Sequence, residues 1–313
     1  MRIVIAGGSG QVGTILARAW RARGDDVVVL SRSRAAAKWR TALWDAKSIG
    51  AWASELDGAD VVVNLAGRSV NCRYNTANRR EIMDSRVDST RIVGAAIAQA
   101  EQPPRVWLQA ATATIYAHRF DAPNDEHTGI LGGAEADVPD TWKFSIDVAR
   151  AWEKACEEAN TPRTRKVLLR SAMVMSPDAE GIFDTLLKLV RRGLGGNAAG
   201  GKQYVSWIHE RDFVRAMNWI IAHESLAGAV NVSAPNPLLY SEFMRALRGE
   251  AGVRIGLPAT RWMLELGAIF MRTETELVLK SRRVVPARLL ESGFAFEFPD
   301  WPAAATELCH RGG

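Results

Sequence analysis

The sequence predicts an α/β fold: a doubly wound parallel sheet with a smaller, mainly helical C-terminal domain. Three observations predict it. Apolar β-branched runs alternate with segments of helical spacing over the first 170 or so residues, the rhythm of parallel strands joined by helical crossovers. A glycine-rich turn separates the first of those strands from the first helix. After Ser171 the rhythm stops, and short helical segments broken by Pro235, Pro237, Pro258 and Pro286 take over. The 313 residues hold one large or two modest domains, at ~150 residues each. The expected division sets 1–172, with 203–232 returning to it, against a substrate domain of 173–202 and 233–313.

Arg2 to Ala6 is a short apolar run that reads as a buried strand, and Thr14 to Trp20 carries apolar residues at helical spacing. Val27 to Leu30 is a second strand. Thr41 to Asp45 is a third, whose end at Trp44 and Asp45 is placed to border an adenine, and a helix is expected over Ser48 to Leu56. Ala59 to Ala66 is a fourth strand, running into Gly67. A long amphipathic helix covers Asn78 to Gln99, and Pro103-Pro104 precede a fifth strand at Arg105 to Ala110. A loop rich in Asp, Pro and Gly occupies 118–140. Lys143 to Asn160 then reads as helix and Lys166 to Arg170 as a sixth strand. Further on, Ile182 to Arg192 reads as helix, and Gly193 to Gly201 as a flexible loop and candidate lid. Gln203 to His209 looks extended and Asp212 to His223 helical.

The first turn carries the strongest chemistry. Gly7, Gly10 and Gly13 follow G-x-x-G-x-x-G spacing between strand and helix. One glycine permits the turn, one lets backbone approach a pyrophosphate, and one lets helix and strand pack closely. The helix start then offers unpaired N–H groups and the positive end of its dipole to phosphate. Gly7, Ser9, Gly10, Gln11, Val12 and Gly13 are therefore the candidate cofactor-binding elbow, a Rossmann-type signature. Two look-alikes fail as triphosphate loops: Thr14 stands where the first needs lysine, and Gln203 follows Lys202 where the second needs Ser or Thr. At the end of the second strand an acidic residue would favour NAD. This chain has Ser31-Arg32-Ser33-Arg34 instead, and Arg32 with its flanking serines suits a 2′-phosphate. NADP (NADPH) is the favoured cofactor and NAD the alternative.

Composition excludes other classes. Apolar residues are 47% and charged residues 24%, ordinary values that speak against a disordered or fibrous chain. No apolar run nears the ~18 residues of a bilayer span, and the N-terminal run is too short for a secretory signal, so a cytoplasmic protein without membrane association is expected. Cys72, Cys156 and Cys309 are too few and too scattered for a disulfide framework or a zinc knuckle, and no histidine–carboxylate cluster shows metal spacing. The net charge of +5 comes from 40 basic against 35 acidic residues, spread along the chain. This gives no basic stripe for nucleic acid. A small-molecule substrate is the expected partner, with oligomeric state left open.

The chain resembles the extended short-chain dehydrogenase/reductases, and within them the atypical group of epimerase family proteins. The match rests on Gly7 to Gly13, Asn64-Leu65-Ala66-Gly67, Gly193-Leu194-Gly195-Gly196 with Gln203, and Ser206-Trp207-Ile208-His209 with Asp212. It continues through Ala234-Pro235-Asn236-Pro237, Val285 to Leu290 and Gly293-Phe294, and so spans nearly the whole chain. The resemblance implies a Rossmann domain holding NAD(P), with Leu65, Ala66 and Gly67 joining the cofactor-binding set, and a C-terminal domain closing over substrate. It also implies a Ser/Thr at the end of the fifth strand, with a Tyr and a Lys four residues apart on the next helix.

Thr112 matches the Ser/Thr position, but the pair is absent. Four residues after Tyr74, Tyr116, Tyr204 and Tyr240 stand Asn78, Phe120, Ile208 and Met244. Phe144 and Val148 take the expected places. The catalytic candidates are then Thr112, to orient a carbonyl oxygen, and Tyr116, to donate a proton. His209, Glu126 and His127 are secondary candidates for the substrate rim, His209 weighted toward a structural hydrogen bond. Trp142 and Trp152 read as core or cleft wall. The expected function is that of an NADP-binding oxidoreductase or nucleotide-sugar-epimerase-like enzyme acting on a carbonyl or sugar-like small molecule. The alternative is a non-catalytic NADPH-sensing regulator that binds a protein partner, its pocket filled by Phe144.

Overall fold

The computed structural model describes residues 1–33, 39–136, 138–260, 262–263 and 274–312. Arg34 lies outside them. The chain runs β1 (Arg2–Ala6), α1 (Gln11–Ala22), β2 (Asp26–Ser31), β3 (Arg40–Leu43), β4 (Val61–Asn64), α2 (Thr76–Gln99), β5 (Val106–Thr112), α3 (Asp140–Glu157) and β6 (Arg165–Ser171). It continues through β7 (Met173–Met175), α4 (Ile182–Arg191), β8 (Tyr204–Val205), β9 (Trp207–His209), α5 (Glu210–Ala222) and β10 (Gly228–Val232). β11 (Leu238–Leu239), α6 (Tyr240–Glu250), α7 (Glu276–Leu279), α8 (Ala287–Glu291) and α9 (Trp301–Arg311) complete it.

The main sheet has seven strands in the order β10-β6-β5-β4-β1-β2-β3, with every pair parallel. Its first six strands follow the 3-2-1-4-5-6 order of dinucleotide-binding sheets, and the direction of winding reverses between β1 and β4. Both faces are covered, which is why the strands read as unbroken apolar runs. Alternate residues go to opposite sides. Ile3, Ile5, Val27 and Val29 pack with Leu16 and Trp20 of α1 and Phe213 and Ile220 of α5. Val4, Ala6, Val28 and Leu30 pack with Val93 and Ile97 of α2.

Register sets the site. Ala6 pairs with Leu30 on one side and with Asn64 on the other. The chain therefore leaves β1, β2 and β4 at one level, and Gly7, Ser31 and Leu65 emerge side by side. Asn64 is fully buried and holds the next turn: its Oδ1 accepts from Ala66 N at 3.1 Å while its Nδ2 donates to Gln109 of β5.

A second core gathers Phe183, Leu187, Trp207, Phe243, Leu247, Trp301 and Leu308. Trp301 stacks on Phe243 at 4.0 Å. The segments specific to the family resemblance act as clamps on the tail. Ser206 Oγ donates to Arg282 O and accepts from Val284 N. Asp212, fully buried, accepts from the backbone N–H groups of Glu297 and Phe298.

Two expectations change. The helix expected at Ser48 to Leu56 is a 3₁₀ turn over Ala51–Glu55, because Asp45 captures the N–H groups of Lys47 and Ser48 and the chain re-enters only at Gly50. The loop expected as a lid, Gly193 to Gly201, is laced to the segment beyond α6. Leu257 N donates to Gly193 O, Ala259 N to Asn197 O and Ala199 N to Ala259 O. A side chain at Gly196 would meet the Leu257 backbone.

Candidate functional site: a dinucleotide cleft and an adjoining cavity

The three glycines of the elbow have three separate physical roles. Gly7 has φ +71°, and a Cβ there would lie 2.6 Å from Ala66 Cα, so it makes the turn against the β4 loop. Gly13 faces Gly8 so closely that a Cβ would strike the Gly8 backbone, which seats α1 on the turn. Gly10 is the N-cap of α1, with nothing within 4 Å of where a Cβ would stand. No side chain caps this helix and no acidic residue occupies its first turn. Its N–H groups and positive dipole end thus face open space beside Gly10. One residue along, the Gln11 side-chain Nε2 is buried without a hydrogen-bond partner among the described residues. The open cradle at Gly10 fits a diphosphate, while the Gln11 amide is turned against Gly181.

The cleft runs along the strand ends across the reversal point. A cavity of ≈ 290 Å³ is walled by Gly7, Ser9 and Gly10, by Ser31 and Arg32, and by Leu65, Ala66 and Gly67. A second, of ≈ 310 Å³, continues past Gln11, Val12 and Leu65 to Ala110, Ala111 and Ser171 at the ends of β5 and β6. The sequence-derived set therefore comes together, with two exceptions in kind. Gly13 packs beneath the elbow, and Ser33 is exposed with its N–H turned back to Ser31 Oγ at 3.3 Å.

The β2–β3 end of the cleft holds Arg32, Trp44, Asp45 and Lys47. Lys47 escaped the sequence reading, for only the turn after β3 swings it to the same wall as Arg32. Asp45 is the one carboxylate among these four. Hydrogen bonds from the Ser48 hydroxyl and from the Ser48 and Lys47 backbone hold its pKa down to about 2. Its oxygens are thereby committed to its own turn.

Beyond the end of β5 lies a cavity of ≈ 160 Å³. Thr112 stands in its wall, where Oγ1 accepts from Thr114 N at 3.1 Å and keeps its own hydrogen to donate. Phe144 and Val148 of α3 line the cavity without closing it, and Trp152 completes that side. Tyr116 is elsewhere, which corrects the expectation that it meets substrate. The ring is 2% exposed, and its hydroxyl donates to Asn231 Oδ1 at 2.9 Å and accepts from Arg170 Nη1 at 3.0 Å. The 3₁₀ turn at Ala113–Ile115 rotates Tyr116 away from the strand end and into the packing beneath.

The remaining candidates also have structural places. His209 is fully buried, caps α5 through Nδ1, and meets Glu307 through Nε2 at 2.9 Å. Glu126 accepts from Asn231 N at 2.7 Å, and exposed His127 pairs with Glu291.

Sequence reading missed the four ionisable residues of this cavity: Tyr74, Arg86, Glu276 and Arg282. Tyr74 belongs to an aperiodic loop, Arg86 looks like a solvated helix position, and the other two come from the tail. Glu276 O–carboxylate accepts from Ser145, and burial raises its pKa while Arg282 and Lys280 oppose the rise. Burial lowers Arg86 to about 10 and lowers Arg282 as well. Among the described residues no group of three or more His, Cys, Asp or Glu is placed to hold a metal ion, and no helix is long and apolar enough to cross a membrane.

Comparison with known proteins agrees with this architecture. Residues 3–233 match the model of the NAD dependent epimerase/dehydratase family, and residues 259–308 match a domain of unknown function, DUF1731. Epimerase family protein SDR39U1 of Bos taurus is 31% identical over 98% of this chain and 99% of its own length. Epimerase family protein Mb2239 of Mycobacterium bovis is 32% identical over 94% of this chain and 93% of its own. The crystal structure of human SDR39U1 with NADPH superposes with a TM-score of 0.86 at 29% identity, covering 99% of both chains. A UDP-N-acetylglucosamine 4-epimerase from Bacillus cereus shares the fold at a TM-score of 0.73 and 15% identity, covering 99% of this chain and 98% of its own. With the parallel sheet, the glycine elbow and the tail domain in one chain, this protein belongs to the NAD dependent epimerase/dehydratase family, in the group that carries the DUF1731 tail.

Proposed function

We propose that this chain is an NADP(H)-dependent oxidoreductase that reduces the carbonyl group of a small molecule. The observation that carries the reading is the order of the cleft and the cavity beyond it along the strand ends. The cleft starts at Arg32 and Lys47, passes the uncapped start of α1 at Gly10, and ends beside the cavity containing Thr112. That is the order in which a 2′-phosphate, a diphosphate, a nicotinamide and a substrate carbonyl would be met. The NADPH in the human relative's crystal supports the choice of cofactor. Arg32 would pair with the 2′-phosphate, assisted by Ser31 and Lys47, while the α1 N–H groups would hold the diphosphate. Leu65, Ala66 and Gly67 would form the floor.

When bound, a reduced nicotinamide supplies hydride to a carbonyl carbon. Thr112 orients the carbonyl oxygen through the hydroxyl hydrogen that its bond with Thr114 leaves free. Phe144, Val148 and Trp152 exclude water from that oxygen. The cavity beside Thr112 favours an enzyme over a sensor, because Phe144 forms its wall and does not occupy it. Residues 1–172 with 203–232 would hold the cofactor, and 173–202 with 233–313 would complete the substrate side.

The test is steady-state oxidation of NADPH and NADH across a panel of small aldehydes, ketones and keto-sugars, followed at the reduced-nicotinamide band. Turnover with NADPH at least ten times that with NADH supports the reading. Tight NADPH binding without turnover of any carbonyl contradicts it.

A further inference from the structure

The catalytic tyrosine and lysine that the family resemblance places on α3 are replaced here by Phe144 and Val148, yet the cavity they face does contain a phenol and a half-buried cation. Tyr74 enters from the loop between β4 and α2, and Arg86 enters from α2. The Tyr74 ring packs edge-on against Phe144, with centroids 5.2 Å apart. The Arg86 guanidinium lies 5.0 Å over the ring of Trp152, one helical turn beyond Val148. Tyr74 thus stands next to the α3 side chain at the family tyrosine position, and Arg86 shares the cavity wall with Val148 at the other. We propose that Tyr74 is the proton donor of the reduction and that Arg86 is the cation that steadies its phenolate, a donor pair rebuilt from the β4–α2 connection in place of α3. This proposal rests on the carbonyl-reductase reading above.

Three further observations support it. First, the Tyr74 backbone is held at both ends: its N–H donates to Glu274 Oε1 at 2.7 Å and its carbonyl accepts from Arg79 Nε at 2.9 Å. Glu274 comes from the tail, so the C-terminal segment fixes the loop that carries the phenol. Second, Arg86 makes one hydrogen bond among the described residues, to Ile82 O at 3.1 Å, and no ion pair with a carboxylate. Its charge is therefore not neutralised by a carboxylate in the cavity wall that it helps to form. Third, Thr112 shares the cavity and keeps a hydroxyl hydrogen for the same substrate oxygen. The groups that act on Tyr74 are Arg86 of α2, Cys72 of its own loop, Ser145 of α3, and Glu276 and Arg282 of the tail. Burial raises its pKa, while Ser145 and Arg86 oppose the rise.

The carbonyl carbon gains a hydride, with its two electrons, from the reduced nicotinamide. The carbonyl oxygen takes the Tyr74 phenolic proton, and C=O becomes CH–OH. Tyr74 is left as phenolate beside Arg86 and regains a proton from water. The balance per turnover is one hydride, which a bound reduced nicotinamide would supply, and one proton from Tyr74.

Two readouts test this. In turnover, Y74F should lower kcat by about 10²–10⁴-fold, the usual share of a general acid, with NADPH affinity within about threefold of the parent. Without cofactor, the ultraviolet ionisation difference between parent and Y74F isolates Tyr74. That ionisation should move up by about one pH unit in R86L and return in R86K, the opposite-charge effect. If Y74F folds poorly, 3,5-difluorotyrosine at position 74 replaces it. The more acidic phenol should then move the alkaline limb of the kcat profile downward. An active parent with Y74F within threefold of it, or an alkaline limb unmoved by fluorination, would overturn the donor role. A Tyr74 ionisation indifferent to R86L would overturn the pairing, even if no carbonyl is reduced. A parent that binds NADPH but turns over nothing overturns the oxidoreductase reading, while the titration still decides the pair.

Discussion

Gly10 and Gly13 are both glycines of one motif, but they are needed for opposite reasons. A methyl at Gly13 meets the Gly8 backbone, so Gly13→Ala should destabilise the protein by about 1–3 kcal/mol, as overpacking does, in urea unfolding. Gly10 has free space around it. Gly10→Asp supplies a good N-cap to α1 and sets a carboxylate where the diphosphate would sit. Stability should hold or rise while NADPH affinity falls by about 100-fold or more, since like charges in contact cost several kcal/mol. Loss of stability together with affinity would show that Gly10 serves packing. Arg32 carries cofactor choice. Arg32→Ala should weaken NADPH by about tenfold to a hundredfold, the range of a charge-assisted bond, and leave NADH within about twofold. Calorimetric titration with both nucleotides measures this. Equal losses for the two would move the preference elsewhere, Lys47 being a second cation on that wall.

At the scale of elements, the tail domain works through a few buried hydrogen bonds. Asp212 at the start of α5 binds the N–H groups of Glu297 and Phe298 at 2.8 and 2.7 Å and the Arg215 guanidinium at 2.6 Å. Asp212→Ala leaves two backbone donors unpaired, at about 1–3 kcal/mol each. Hydrogen exchange should then accelerate over 294–298 and α9 but not in β1 or β4, and uniform acceleration would refute a local clamp. This level of the structure was hard to read from sequence. The β1–α1–β2 unit was legible because strand, turn and helix are contiguous, and each carries its own periodicity or spacing. The α3 assignment was legible for the same reason, and it placed Phe144 and Val148. The misplacement of Tyr116 has a different origin. A strand end looks like a route to the cleft, but the 3₁₀ turn after Thr112 reverses the direction of the side chains. Tyr74 lay in a loop without pattern. Its anchor, Glu274, is 200 residues away, so only the folded topology brings them together.

Across the whole molecule, a buried and a half-buried histidine, His209 and His118, tie stability to pH. Burial lowers the pKa of both His118 and His209 from the ordinary 6.5. Each accepts a backbone N–H through Nδ1, from Ser281 and Arg211 respectively, and so is held neutral. Below 6.5 the unfolded chain binds protons that the folded chain resists. Stability therefore falls as pH drops from about 6.5 toward the depressed values. Burial raises Glu126 and Glu276, which take up protons in the folded state above 4.5 and so act in the opposite direction. The absolute profile mixes these effects, and a difference isolates one. His209→Asn keeps a capping acceptor without titrating in this range. The thermal midpoint of the parent should therefore fall more steeply than that of H209N between pH 6.5 and 5, and parallel curves would exclude His209.

The central claim is that the uncapped start of α1 and the cations at the ends of β2 and β3 hold a phosphorylated dinucleotide at the reversal point of the sheet. Isothermal titration of the folded protein with NADPH and NADH, beside the Gly10→Asp variant, tests it most directly. The expected result is one NADPH per chain, NADH weaker by at least tenfold, and no NADPH heat from G10D. Absence of heat from either nucleotide, or NADPH binding that G10D leaves unchanged, would contradict it.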